Sequence, residues 1–266
     1  EGILLKLQPR TARVRINSAY KLSIVPSSVG DDVEIEPNDY VERPTPLEAD
    51  RPMKGKIDYP YDRDRYLIKL EKEAVAQITL SGVPGLDLRL YFGPKPDDSL
   101  TNDGGVGEGE RITNRYLAAG SHILTVLAKG NESNTEQGYT LTLKLLDASR
   151  VEREPNNEAK NAHPLKLGST IEGTIVRKGD VDFFKLDLTQ EKAPKLIKLS
   201  LTGAAKLALT MTLLDAKEGA ITKRSGVVAG ETKSIAIRLR PAVYYLKIHD
   251  PKENANATES YRLELR

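Results

Sequence analysis

The stretch Glu34-Ile-Glu36-Pro-Asn38-Asp39 sets oxygen-bearing side chains on alternate positions, and Asp62-Arg-Asp64 does the same further along the chain. Alternate residues of an extended chain project to one side, and the residue before a proline is biased to extended backbone, so Glu34, Glu36 and Asn38 can converge. If the Asp62–Asp64 stretch meets them, roughly five or six hard oxygens surround one point. That is a Ca²⁺ donor set, since Ca²⁺ takes about 6–8 oxygens at about 2.3–2.6 Å in flexible geometry. Left without a cation, the same cluster concentrates like charge. The expectation is that Ca²⁺ docks a linker onto the body that follows it and fixes the angle between neighbouring units. The same residues also admit a local reading, in which Asp and Asn cap turns through nearby backbone N–H groups and linker Glu is simply solvated.

The constellation occurs twice. Glu152-Arg-Glu154-Pro-Asn156-Asn157 is followed by Asp180-Val-Asp182 at the same distance. Glu36 and Glu154, Asn38 and Asn156, Gly55 and Gly173, Asp62 and Asp180, and Tyr66 and Phe184 are all offset by 118 (154 − 36). A register held that long marks a tandem repeat. The second copy has Asn157 where the first has Asp39, one charge fewer, so weaker cation binding is expected there.

The segments that must position these acids have a period near two. Residues 64–70, 74–80, 86–92, 111–117, 121–128 and 139–145 are predicted strands, as are 182–188, 196–201, 207–214, 234–239, 243–248 and 261–265. Asp-x-Asp-x-Tyr/Phe suits the start of an inner strand, with the ring in the core and the acids at its mouth. Pro44 to Pro52 excludes a helix or a central strand, and Asn102 to Gly109 reads as a loop. No segment carries a helical stripe. The expected fold is all-β: tandem antiparallel β-sandwich or jelly-roll domains, repeat 1 over 31–147 and repeat 2 over 150–266. Residues 1–28 read as terminal strands of a preceding, incomplete repeat, because Tyr20-Lys-Leu-Ser-Ile24 echoes Tyr139-Thr-Leu-Thr-Leu143 and Tyr261-Arg-Leu-Glu-Leu265.

Composition removes several function classes. A net charge of +2, from 40 Lys and Arg against 38 Asp and Glu, supplies no field for nucleic acid or an anionic membrane. No apolar run suits membrane insertion, and any export signal is expected outside this stretch. The absence of Cys excludes disulfides, thiolate metal sites and thiol catalysis. His122, His163 and His249 lie in unrelated contexts, with a strand position expected for His122 and a turn for His163. Gly104 to Gly109 lacks the Lys-Ser/Thr ending of a phosphate loop, and no serine sits in a nucleophile elbow. Asp62 and Asp64 have no second catalytic group beside them, so no catalytic residue and no enzyme activity are expected. Tyr244 and Tyr245 alternate across a strand, one facing the core and the other free for ligand binding.

Glu-Pro-Asn near each opening, Gly-x-Ile before Asp-x-Asp-x-Tyr/Phe, and a terminal Gly/Ser-Tyr-x-Leu-x-Leu together resemble the bacterial pre-peptidase C-terminal domain family, related to the collagen-binding domains of clostridial collagenases. The resemblance implies a β-sandwich appended to secreted peptidases and other exported proteins. It also implies Ca²⁺ ligation by Glu34, Glu36, Asn38, Asp39, Asp62 and Asp64, and by Glu152, Glu154, Asn156, Asn157, Asp180 and Asp182. Collagen binding does not transfer, since repeat 1 has no counterpart of the Tyr244–Tyr245 pair. The function expected is a non-catalytic accessory or binding module of a larger bacterial protein, secreted, periplasmic or on the cell surface. Its partners would be a protein or polysaccharide ligand, or the parent protein's other domains. The alternative is a structural spacer, adhesin or scaffold repeat without a specific ligand.

Overall fold

A computed structural model describes Lys21, residues 30–93 and residues 104–266. Residues from Asp31 to Arg266 belong to one compact unit, which holds both acidic openings. The expectation for residues 1–28 lies outside the described residues, Lys21 apart. The described residues form an all-β structure with one three-residue 3₁₀ turn, Ala159–Asn161.

The first half contributes β1 (Thr45–Pro46), β2 (Met53–Gly55), β3 (Arg63–Leu70), β4 (Ala74–Leu80), β5 (Leu88–Phe92), β6 (Glu110–Leu117), β7 (Gly120–Ala128) and β8 (Tyr139–Leu146). The second contributes β9 (His163–Leu165), β10 (Thr170–Gly173), β11 (Val181–Asp187), β12 (Lys195–Thr202), β13 (Leu209–Leu214), β14 (Ala220–Val227), β15 (Thr232–Leu239), β16 (Val243–His249) and β17 (Tyr261–Leu265). The sheets β1-β3-β7-β5 and β2-β8-β4-β6 enclose one core. The sheets β14-β13-β16-β11-β9 and β10-β17-β12-β15 enclose another. Apart from β14, the second pair repeats the strand order of the first.

Alternation builds each sandwich. Along β3, Asp64, Tyr66 and Ile68 point inward while Arg63, Arg65 and Lys69 point outward. Along β11, Asp182, Phe184 and Leu186 do the same. Burying each such apolar side chain contributes about 1.5–3 kcal/mol. Two details differ from the sequence reading. Strands β1 and β9 pair parallel to β3 and β11, the exception in otherwise antiparallel sheets among the described strands. His163 is not in a turn: it lies in β9, buried, edge-on to Phe184 at 5.6 Å.

Each acidic opening joins its sandwich as a short parallel addition to an edge strand. Val33 bridges Lys54, with Glu34 N donating to Lys54 O at 2.9 Å. Val151 bridges Glu172, with Glu152 N donating to Glu172 O at 2.9 Å. Both following Glu–Pro bonds, Glu36–Pro37 and Glu154–Pro155, are cis.

Candidate metal centres

At the mouth of the first sandwich one carboxylate oxygen from each of Glu34, Glu36 and Asp64 lies within 4.8 Å of the others. Edge pairing places Glu34, whose Oε1 accepts from Lys56 N at 2.6 Å and whose Oε2 accepts from Tyr66 Oη at 2.9 Å. Tyr139 Oη donates to Asp64 and stands 2.7 Å from Tyr66 Oη, so two tyrosines floor the site. Gly55 lets that floor form, because a Cβ there would collide with the Tyr139 ring and with the hydroxyls of both Tyr139 and Tyr66. Asn38 closes the side, donating from Nδ2 to Glu34 at 3.3 Å and from its backbone N to Glu36 at 3.0 Å.

The second sandwich repeats the arrangement with Glu152, Glu154 and Asp182, again within 4.8 Å. Thr174 N donates to Glu152 Oε1, and Tyr261 Oη reaches both Glu152 Oε2 at 3.0 Å and Asp182 Oδ2 at 2.6 Å. Gly173 clears room for that ring as Gly55 does for Tyr139. Asp62 and Asp180 each hold the turn before them, accepting from Asp58 N and Val176 N at 2.7 Å.

Buried oxygens in both clusters lack a partner: Asn38 Oδ1, Asp62 Oδ1 and Asp64 Oδ1 in the first, and Glu154 Oε1, Asn156 Oδ1, Asp180 Oδ1 and Asp182 Oδ1 in the second. A buried polar atom without a hydrogen bond is costly, and nearly all native ones are satisfied. Burial raises every one of these carboxyls above its ordinary range: Glu36 and Glu152 to about 7, Glu154 to about 9 and Asp64 to about 10, with Glu34, Asp62, Asp180 and Asp182 also raised. Neighbouring acids add to the shift in Asp64, Glu154 and Asp182. These acidic clusters can hold a metal ion: a hard cation fits the all-oxygen donor set, and its charge would reverse the upward shifts.

Two residues expected in the clusters, Asp39 and Asn157, also take part in hydrogen bonds beside them. Asp39 accepts from Tyr59 Oη while its charge still acts on Glu36 and Asp62, and Asn157 Oδ1 accepts from Val181 N at 3.2 Å. Of the tyrosine pair expected to place one ring in the core and the other toward ligand, Tyr244 is the core member, buried and donating to Arg240 O at 3.1 Å, whereas Tyr245 is half-buried. The alternation reading missed the floor residues Tyr139 and Tyr261, whose signal was the repeated Tyr-x-Leu-x-Leu ending. It also missed Asn114 of β6, which donates from Nδ2 to Glu152 Oε1 at 3.1 Å and carries no motif.

Over 187 residues, 65% of this chain, the sequence is 25% identical to collagenase ColQ1 of Bacillus cereus (strain Q1) and spans 18% of that protein's length. In structure it is similar to the pre-peptidase C-terminal domain of a Bacillus anthracis collagenase, at 20% identity and a TM-score of 0.34, covering 42% of this chain and all (100%) of that one. A weaker likeness, at 6% identity and a TM-score of 0.23, links 78% of the chain to 34% of a Clostridium perfringens ZmpB structure containing an M60 catalytic domain with CBM51-1 and CBM51-2 domains. No family profile matches the chain. No helix among the described residues is long and apolar enough to cross a membrane.

Proposed function

We propose that the chain is a non-catalytic accessory segment of a larger exported bacterial protein, built from repeats 31–147 and 150–266 whose acidic lead-ins are stiffened by Ca²⁺. The observation that carries this reading is the pair of carboxylate triads at the linker–sandwich junctions, fully buried in the second copy and with only Glu36 exposed in the first, around which buried oxygens are left unpaired. Glu34, Glu36 and Asp64, supported by Asn38 and Asp62, would ligate in the first; Glu152, Glu154 and Asp182, supported by Asn156 and Asp180, in the second. Ca²⁺ would supply charge neutralisation that ties the linker to its sandwich. The matches to a collagenase and to a pre-peptidase C-terminal domain support the accessory role and an extracellular setting.

The choice between a binding module and a bare spacer turns on surface chemistry. Around the first opening Ile35, Tyr40, Val41, Tyr59 and Tyr61 are all exposed, on two loops tied by the Tyr59–Asp39 hydrogen bond. The positions equivalent to them in the second copy are Arg153, Glu158, Ala159, Arg177 and Gly179. An aromatic collar present in one copy and replaced by polar or small residues in the other favours a partner face over a uniform spacer. The partner fits a protein, a polysaccharide or a neighbouring domain of the parent.

Calorimetric titration of the metal-stripped chain with Ca²⁺, alongside thermal melts, tests the metal reading; no heat and no rise in melting temperature would end it. Co-sedimentation with insoluble protein fibres and polysaccharides tests the collar. Retention that is lost in a Tyr40→Ser, Tyr61→Ser variant supports a binding module, and no retention returns the chain to the spacer reading.

A further inference from the structure

The second triad is not made by its own sandwich alone. Strand β6 carries one residue more than β4 between the pairs Ala76–Arg115 and Ile78–Ile112, so Thr113 and Asn114 together face Gln77. This bulge turns Asn114 into the left-handed region at φ 57°, a conformation that Asn tolerates better than most residues, and leaves it 1% exposed. Both ends of its amide are used. Gln77 Nε2 donates to Oδ1 at 3.1 Å, while Nδ2 donates to Glu152 Oε1 at 3.1 Å and to Thr174 Oγ1 at 3.3 Å. Its backbone also takes the next acid, with Glu154 N donating to Asn114 O at 2.8 Å and Tyr116 N to Glu154 O at 3.1 Å. The linker is thus a strand shared by the edge of β6 on one side and of β10 on the other.

The first triad shows why this help is needed. There Glu34 Oε2 receives the Tyr66 hydroxyl and the Asn38 amide, both from its own repeat. In the second copy Phe184 replaces Tyr66, and Asn156 Nδ2 has no partner. The donors missing from the second repeat are made up by an amide from the first. Partners that orient ligating carboxylates set metal affinity almost as strongly as the ligands do.

We propose that the second triad is a composite cation site in which Asn114 of the first sandwich is the positioning residue, so that cation binding and docking of the two sandwiches are linked. The inference rests on the Ca²⁺ reading given above. By reciprocity, whatever docking adds to cation affinity the cation returns to docking.

The test uses the full chain, stripped of metal and titrated with Ca²⁺ alone. The second site is read in a Glu36→Gln, Asp64→Asn background and the first in a Glu154→Gln, Asp182→Asn background. Asn114→Gly keeps the backbone conformation and removes the amide. It is expected to weaken Ca²⁺ at the second site about tenfold or more while leaving the first within about twofold. Ca²⁺ is expected to slow hydrogen exchange at the Tyr116 amide in the parent and to lose that effect in Asn114→Gly, which a purely structural role for Asn114 would not produce. Gln77→Met, which leaves the bulge intact and frees the Asn114 amide to turn, is expected to shift the second site alone in the same direction by about threefold, and it decides the matter if Asn114→Gly does not fold. Unchanged affinity in the folded variants, or no Ca²⁺ effect on Tyr116, overturns the proposal. Ca²⁺ uptake by the first site only overturns it too but spares the Ca²⁺ reading there; uptake by neither removes both.

Discussion

The two acidic openings share a plan and differ in what lies against them. In the first, Glu36 is exposed, as are Tyr40, Tyr59 and Tyr61 on the flanking loops. In the second, the equivalent Glu154 is 1% exposed, covered by β6 of the preceding sandwich. The burial difference sets the electrostatics, holding Glu36 at about 7 and Glu154 at about 9. The same arrangement of acids can therefore be kept in both sandwiches while what packs against it decides how readily those acids ionise. The second opening shows what a covered junction looks like, with Arg153 over the Tyr116 ring at 4.6 Å where the first copy has the exposed Ile35.

The largest effect expected is that of Ca²⁺ itself, and its pH dependence separates the two openings. In the unfolded chain Glu ionises near 4.5, so between that value and the raised native value the native state binds more protons than the unfolded state. Stability of the metal-free protein must then fall as pH rises through that window. The window closes near 7 for Glu36 and near 9 for Glu154. Ca²⁺ displaces those protons, so its stabilisation grows with pH, and earlier at the first opening than at the second. At a free concentration of about 100 times Kd each occupied site adds about 2.7 kcal/mol, roughly 5–10 °C in melting temperature. Melts at pH 5, 7 and 8.5 with Ca²⁺ or chelator check this, and a Ca²⁺ gain independent of pH would contradict it.

Next in size is the shared floor. Gly173→Ala forces a methyl against Tyr261, and Gly55→Ala forces one against Tyr139 and Tyr66 together. Overpacking of this kind costs about 1–3 kcal/mol, with the larger loss expected at Gly55, where two rings must yield. Urea unfolding measures the cost. Each change should also weaken Ca²⁺ in its own copy, because the displaced hydroxyl is the one that orients the acids.

Much of this organisation is visible in the sequence for a physical reason: a period of two is written into every strand with one wet face and one dry face. Asp64, Tyr66 and Ile68 face inward as their spacing demands. Strand β14, Ala220–Val227, was not legible, because nearly every residue in it is solvent-facing and no alternation arises. Strands β1 and β9 are two and three residues long, too short to carry a pattern. At the acid clusters, spacing brings Glu34, Glu36 and Asp64 together, but it cannot reveal that Tyr59 donates to Asp39 or that Val181 N donates to Asn157. Asn114 was beyond reach altogether, since its role depends on one extra residue in a strand pairing and on which edge the next linker meets.

The swap between Tyr66 and Phe184 sharpens the comparison at a finer scale. Tyr66→Phe removes a buried donor from Glu34 and is expected to cost about 0.5–1.5 kcal/mol, softened because Asn38 still donates. Phe184→Tyr gives the second copy the hydroxyl it lacks. In an Asn114→Gly background it should recover several-fold of the lost Ca²⁺ affinity at the second site, with no effect at the first. Calorimetry on Asn114→Gly with and without Phe184→Tyr reads this directly, and failure to recover would mean that the hydroxyl and the amide are not interchangeable donors.

The smallest effect expected is at the junction's most visible contact. Arg153 lies over the Tyr116 ring and pairs with Glu73 at 2.7 Å, and Tyr116 Oη donates to the same carboxylate at 2.8 Å. Glu73 is half-exposed, at 48% of its side chain, so water and salt screen the pair. A cation over an exposed ring contributes about 0.5–1 kcal/mol, and a surface ion pair about 0–1. With the ion pair screened and adding little to the ring contact, Arg153→Ala should cost about 1 kcal/mol, less in high salt, and leave Ca²⁺ affinity at the second site within about twofold. Asn114→Gly touches no charge pair and should do the reverse, with a loss that salt barely alters. If Arg153→Ala instead loosens the second site as much as Asn114→Gly, as read by hydrogen exchange at Tyr116, then the surface charges hold the junction and the buried amide does not.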